Sequence, residues 1–220
     1  MSTVSHPIFA RLYRRMHARE DALGVTDQRR ELLSGLAGKV VEVGCGDGAN
    51  FSLYPTTVTE VTAVEPESYL RSYAQRAAKS AAAPVRVVDG TADSLPLADG
   101  STDAAVASLV LCSVTDPQQA VAEMVRVLRP GGTVHFLEHV LADDPHLARA
   151  QHRFAPLHAW IAGGCRPDRP TVDTLRQAGL SIEKLRPFDF LLSPVTRLSR
   201  PHVIGVARKP TGVPRPEKSA

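Results

Sequence analysis

The stretch VVEVGCGDGANF, Val40 to Phe51, decides the fold. It starts as a run of β-branched residues and then sets glycine at positions 44, 46 and 48. An apolar strand that breaks into such a loop reads as the first strand and turn of an α/β sheet, where ligands sit at the carboxyl ends of the strands. Two acids, Glu42 and Asp47, lie inside the run, and no Lys or Arg lies between Val40 and Leu53.

Outward from this stretch the chain alternates strand and helix. Residues 39–43, 61–64, 85–88, 103–111 and 133–140 read as five apolar strands. The alanine-rich segment 67–83 has high helix propensity. In DPQQAVAEMVRVLRPGG, Asp116 is the expected N-cap with Pro117 in the first turn. Val121, Met124, Val125 and Leu128 repeat at the spacing of one buried helical face, and Pro130-Gly131-Gly132 stops the helix. The segment PHLARAQHRFAPLHAWIAGG reads as helical, and TVDTLRQAG as a short helix capped by Thr171 and stopped by Gly179. LSIEKLRPFDFLL and HVIGVAR read as the last two strands. Near-continuous apolar strands imply a mostly parallel sheet covered on both faces. The glycine loop, Glu65, GTAD, LCSV and LEHV all fall at strand ends, so five segments converge on one crevice.

The 220 residues suit a single domain over residues 1–208, with a helix at about 6–20 and a flexible tail at 209–220. A net charge of +3 is too mild to imply a nucleic-acid partner. No run approaches the length of a membrane span, and residues 1–16 lack the apolar core of a signal peptide, so the expected compartment is the cytoplasm. The basic face of the first helix leaves weak association with a membrane surface open. Cys45, Cys112 and Cys165 are odd in number and widely spaced, which predicts neither a disulfide framework nor a zinc site. His135 and His139 are four apart on a strand, about 13 Å, too far to share one ion. No metal is expected.

Gly44, Gly46 and Ala49 satisfy the loose dinucleotide pattern GxGxx(G/A). A pyrophosphate on this loop would meet the Asp47 carboxylate at short range. S-adenosylmethionine (SAM) has a ribose and an adenine but no phosphate, and it carries an ammonium and a sulfonium. Acids near the loop then help, and bare glycine lets the backbone pass close to the ligand. Glu65, about 20 residues on, would hold ribose hydroxyls.

VVEVGCGDG, AVEP, DGTADSLPLADGSTDAA and VRVLRPGG, in this order, resemble the successive motifs of class I SAM-dependent methyltransferases. The resemblance implies a Rossmann-like three-layer sandwich with a seven-stranded, mostly parallel sheet and an antiparallel last strand. Its cofactor is SAM and its product S-adenosyl-L-homocysteine. By position, Glu42, Gly44 and Gly46 would line the methionine side, and Glu65 with Pro66 the ribose. Thr91 and Ala92 would border the adenine, where the family more often has Asp before Ala, and a neutral hydroxyl is the weaker partner. Ser108 and Leu109 would lie beside the sulfonium. SLVLCSVTDPQQAVAEMVRVLRPGG, FLEHV, GGC at 163–165 and PHVIG are similar to the thiol S-methyltransferases of animal membranes, whose hydrophobic anchor is replaced here by HPIFARLYRRM.

A small-molecule thiol is therefore the expected acceptor, with nitrogen or oxygen of a lipid headgroup or quinone precursor as the rival. A regulatory protein that binds nucleotide without turnover and a dehydrogenase are the readings from other classes. The thiolate is the reactive form of a thiol, so a modest base or a nearby cation suffices. His139 is the first candidate base, with neighbouring Glu138 to orient it or raise its pKa, and Asp89 the second. His152, His158, Trp160 and Cys112 are expected on the acceptor side, with Phe154 and Leu157 completing an apolar pocket. Tyr13, on the apolar stripe of the first helix, is expected to reach the cofactor from a lid.

Overall fold

The computed structural model describes residues 24–191 and 194–212. The helix expected at 6–20, with Tyr13, lies outside the described residues, as does the tail from residue 213. A first helix, α1 (Val25–Leu33), leads into β1 (Gly38–Val43). Then follow β2 (Val58–Val64), α2 (Ser68–Ala77), β3 (Val85–Val88), β4 (Thr102–Ser108), α3 (Pro117–Val127) and β5 (Leu128–His139). The last elements are α4 (Pro145–Ile161), α5 (Thr171–Gln177), β6 (Ser181–Asp189) and β7 (Pro201–Arg208).

The seven strands form one sheet in the order β3-β2-β1-β4-β5-β7-β6. β1 pairs with β2 on one side and β4 on the other, both parallel, which makes its carboxyl end the switch point where such sheets bind ligands. β7 runs antiparallel to both β5 and β6, so the last strand alone is reversed, as expected.

Two apolar layers cover the two faces. Alternation along the strands assigns residues to them: Val41, Val43, Ala105, Ala107 and Phe136 pack with Val121 and Met124 of α3. Val40, Ala104, Val106 and Leu137 pack with Leu32 and Leu33 of α1. Asp116 caps α3 by accepting from the Gln118 and Gln119 amides, as expected from the sequence. α5 differs: Pro170 holds the cap position and Thr171 is the first helical residue. Gly179, at a φ of 83°, ends that helix as expected.

Three boundaries move. α3, read as ending at Pro130-Gly131-Gly132 with Leu128 on its buried face, stops at Val127, because Leu128 is already extended at a ψ of 134° and begins β5. The fourth strand, read as 103–111, stops at Ser108, because Leu109 turns into the left-handed region at a φ of 59°. The tail, read as free from residue 209, is pinned at its start. The Lys209 amide donates to the Gly132 carbonyl, and its ammonium to the carbonyls of Val125 and Leu128 at the end of α3. No helix among the described residues is long and apolar enough to cross a membrane.

Candidate active site

The glycine loop after β1 is a backbone cradle. Gly44, Gly46 and Gly48 all take positive φ, of 64°, 57° and 87°. A Cβ on Gly44 would lie 2.8 Å from a Val110 methyl, so the loop and the turn after β4 touch only because residue 44 has no side chain. Two buried acids hold the cradle. Glu65, at the end of β2, accepts from the Gly46 amide at 2.8 Å and from the Glu67 amide at 3.0 Å. Glu42, on β1, accepts from Asn50 Nδ2 and the Tyr54 hydroxyl, both at 2.7 Å. Burial raises the pKa of each carboxyl to about 7. Both Glu42 oxygens are thus bonded by residues that follow the glycine loop.

On the β3 side, Arg71 donates to the carbonyls of Glu65 and Pro66 and to Asp89 Oδ1, tying the ends of β2 and β3 together. Asp89 is therefore an ion-paired group just past the end of the outer strand, and its side chain is 72% exposed. β3 lies four strand intervals from β5, about 19 Å at the usual spacing. The structure thus does not bring Asp89 and His139 together. Thr91 and Ala92 follow in the loop after β3, half-buried, with Thr91 bridged to Ser94.

The other side of the crevice is built around Glu138, whose role is not the expected one. Instead of orienting His139, this fully buried carboxylate accepts from the amides of Val110 and Leu111 at 2.9 and 2.8 Å and of Cys112 at 3.1 Å. Burial raises its pKa, and the three amides oppose that shift. Glu138 thereby shapes the turn that follows Ser108 and carries Leu109 and Cys112.

The GGC segment comes to the same turn from the end of α4. A Cβ on Gly164, at a φ of 94°, would lie 2.7 Å from the Ser113 carbonyl oxygen. The Arg166 amide donates to the Cys112 carbonyl, and the Arg169 guanidinium donates to those of Leu111 and Val114. Gln151, buried in α4, bonds the backbone of Val140, Ala142, Pro167 and Leu198 and fixes this helix beneath the strand ends.

This stitching brings Cys165 Sγ within 3.8 Å of Cys112 Sγ. His139 Nδ1 lies 3.4 Å from both sulfurs. The hydrogen bond between the two thiols holds the Cys165 thiol well below its ordinary value, with His139 adding to the effect, and the same bond and burial push Cys112 up. His158 Nδ1 bonds the Cys165 carbonyl at 2.9 Å, and the His139 and His202 rings meet tilted at 49°, their centroids 4.4 Å apart. His135 is elsewhere, bonded to the Leu32 carbonyl. The structure brings Cys112 and His139 together, with His158 linked to them only through Cys165, a residue that sequence spacing did not place. His152 and Trp160 do not join them. His152 pairs with Asp168 on the outer side of α4, and Trp160 is 83% exposed, so the apolar pocket expected there is not formed by it. Leu157 and Phe154 are exposed as well.

Residues 41–136 match a methyltransferase domain family. Human thiol S-methyltransferase TMT1A is 34% identical over 197 residues, 84% of this chain and 80% of the relative. Human thiol S-methyltransferase TMT1B is 37% identical over 187 residues, 80% of this chain and 74% of the relative. The chain belongs to the class I SAM-dependent methyltransferases. A geranyl diphosphate methyltransferase, solved with its substrate and sinefungin, shares the fold of this methyltransferase at a TM-score of 0.65 and 14% identity, covering 83% of this chain and 77% of its own. The cradle fits the cofactor. Only glycine admits the close approach at residue 44, and the buried Glu65 carboxylate reaches the cradle itself at the Gly46 amide.

Proposed function

We propose that this methyltransferase acts on a small-molecule thiol and yields a thioether. The observation that supports this most is the similarity to two thiol S-methyltransferases over some four-fifths of the chain. When bound, SAM supplies a methyl carbon on a cationic sulfur and leaves as S-adenosyl-L-homocysteine. In this reading Gly44, Gly46 and Glu42 carry the methionine side, Glu65 and Pro66 the ribose, and Thr91 and Ala92 the adenine. Ser108 and Leu109, at the turn held by Glu138, border the methyl. The acceptor enters over Cys112 and His139, at the ends of β4 and β5. Holding acceptor and methyl in line on these rigid strand ends supplies most of the acceleration.

The test is a methylation assay with matched alkyl thiols, amines and phenols, read by mass. Thioether formation well above the other products is the expected outcome. Preferential transfer to nitrogen or oxygen would remove the thiol reading while leaving the methyltransferase assignment intact.

A further inference from the structure

We propose that Cys112, His139 and Cys165 form a zinc site with an open fourth position beside the methyl-transfer centre. Three elements supply one ligand atom each: the turn after β4, the end of β5 and the loop after α4. Tetrahedral zinc with thiolate sulfur at about 2.3 Å and imidazole nitrogen at about 2.0 Å sets ligand edges of roughly 3.8 Å between sulfurs and 3.5 Å from sulfur to nitrogen. The observed edges are 3.8 Å between the two Sγ atoms and 3.4 Å from each to Nδ1. A disulfide would need the sulfurs at about 2.05 Å.

The ligands are also held from behind, as metal sites require. The Cys112 backbone is fixed at both ends, its amide on Glu138 and its carbonyl under the Arg166 amide. The Cys165 carbonyl is fixed by His158. Gly164 lets the Cys165 loop lie against Ser113 at a distance that no side chain permits. Both cysteines are buried and His139 is half-buried, so the cluster reaches solvent at the histidine. Three protein ligands leave one vertex free, the arrangement of reactive rather than purely structural zinc.

Metal binding stands on this geometry alone. The occupant of the fourth vertex rests on the thiol reading above: the acceptor's sulfur binds there as thiolate, its S–H bond breaking as the sulfur–zinc bond forms and the proton passing to solvent. His139 is then a ligand, and the metal takes over the work expected of it as a base.

The full chain, purified without chelator, is expected to carry close to one equivalent of zinc. Replacement by Co²⁺ is expected to give thiolate-to-cobalt charge-transfer absorption with the intense visible bands of a tetrahedral ion. Cys165→Ser and His139→Ala lower zinc affinity at least tenfold, whereas Cys45→Ser does not, and SAM binding reports that each variant is folded. If a variant fails to fold, the cobalt spectrum of the unaltered chain still decides. Chains that bind neither ion, cobalt bound without charge-transfer bands, or a mass loss showing a Cys112–Cys165 disulfide in freshly reduced protein would each overturn the site. A separate titration of the cobalt form uses propanethiol against propanol. A thiol-specific change in the bands supports the fourth-ligand assignment. Identical spectra reject that assignment without touching metal binding, and the methylation assay judges the thiol reading independently.

Discussion

Three glutamates carry the crevice, and each is buried for a different purpose. Glu65 ties the glycine loop to β2, and the proposed function gives it the cofactor's ribose. Glu65→Gln removes a charged acceptor, and charge-assisted bonds of this kind are worth about 1.5–3 kcal/mol, so SAM affinity is expected to fall by roughly ten- to a hundredfold in calorimetry. Glu138 gives its oxygens to three amides of one turn. Glu138→Gln turns an amide N–H toward a backbone N–H and is expected to cost about 3 kcal/mol of stability in urea denaturation, with turnover lost in step. The sequence shows Glu138 and His139 as neighbours, which suggests that one orients the other. Consecutive residues on a strand point to opposite sides, so adjacency in the chain misleads here. Glu42 and Glu65 were legible because one sits inside the apolar carboxyl end of β1 and the other directly after that of β2.

Elements were legible where local chemistry repeats. β1, β2 and β3 follow from their β-branched runs, and α3 from its Asp-Pro start and apolar face. Loops were not, since their shape is set by partners distant in the chain. The turn after β4 bends for Glu138, and the loop after α4 for Ser113. Gly164→Ala tests that dependence. The new Cβ would meet the Ser113 carbonyl and hold an unfavourable φ, so a loss of about 2–3 kcal/mol is expected in thermal unfolding. Trp160→Ala is the counterpart on α4. Exposed to solvent, it is expected to change stability by less than about 0.5 kcal/mol in the same assay.

At the scale of the molecule, the sheet order was foreseeable from the motif succession, but the meeting of residues 112 and 165 was not: their separation in the chain has no periodicity to betray it. Buried charge also gives the whole protein a pH signature. Glu42 and Glu65 titrate near 7 when folded against an ordinary 4.5, so between these values the folded chain keeps protons that the unfolded chain has lost. Their contribution to stability is complete below 4.5 and is lost as pH rises through 7. His202 acts oppositely. Burial lowers it to about 3 from 6.5, so its contribution is present above 6.5 and is lost as pH falls toward 3. Urea midpoints of the cofactor-free protein are expected to decline between about pH 5 and 7, and Glu42→Gln to flatten that decline. SAM affinity is expected to rise over the same interval, because the ionised carboxylates favour a cationic ligand.

The reversed seventh strand has a consequence for synthesis. Because β7 lies between β5 and β6, β6 has no neighbour and β5 keeps a bare edge until residues 201–208 have left the ribosome. The sheet therefore closes only after residues 201–208 have been made. A nascent chain stalled before Pro201 presents an open strand edge of the kind that chaperones cover and that aggregates recruit.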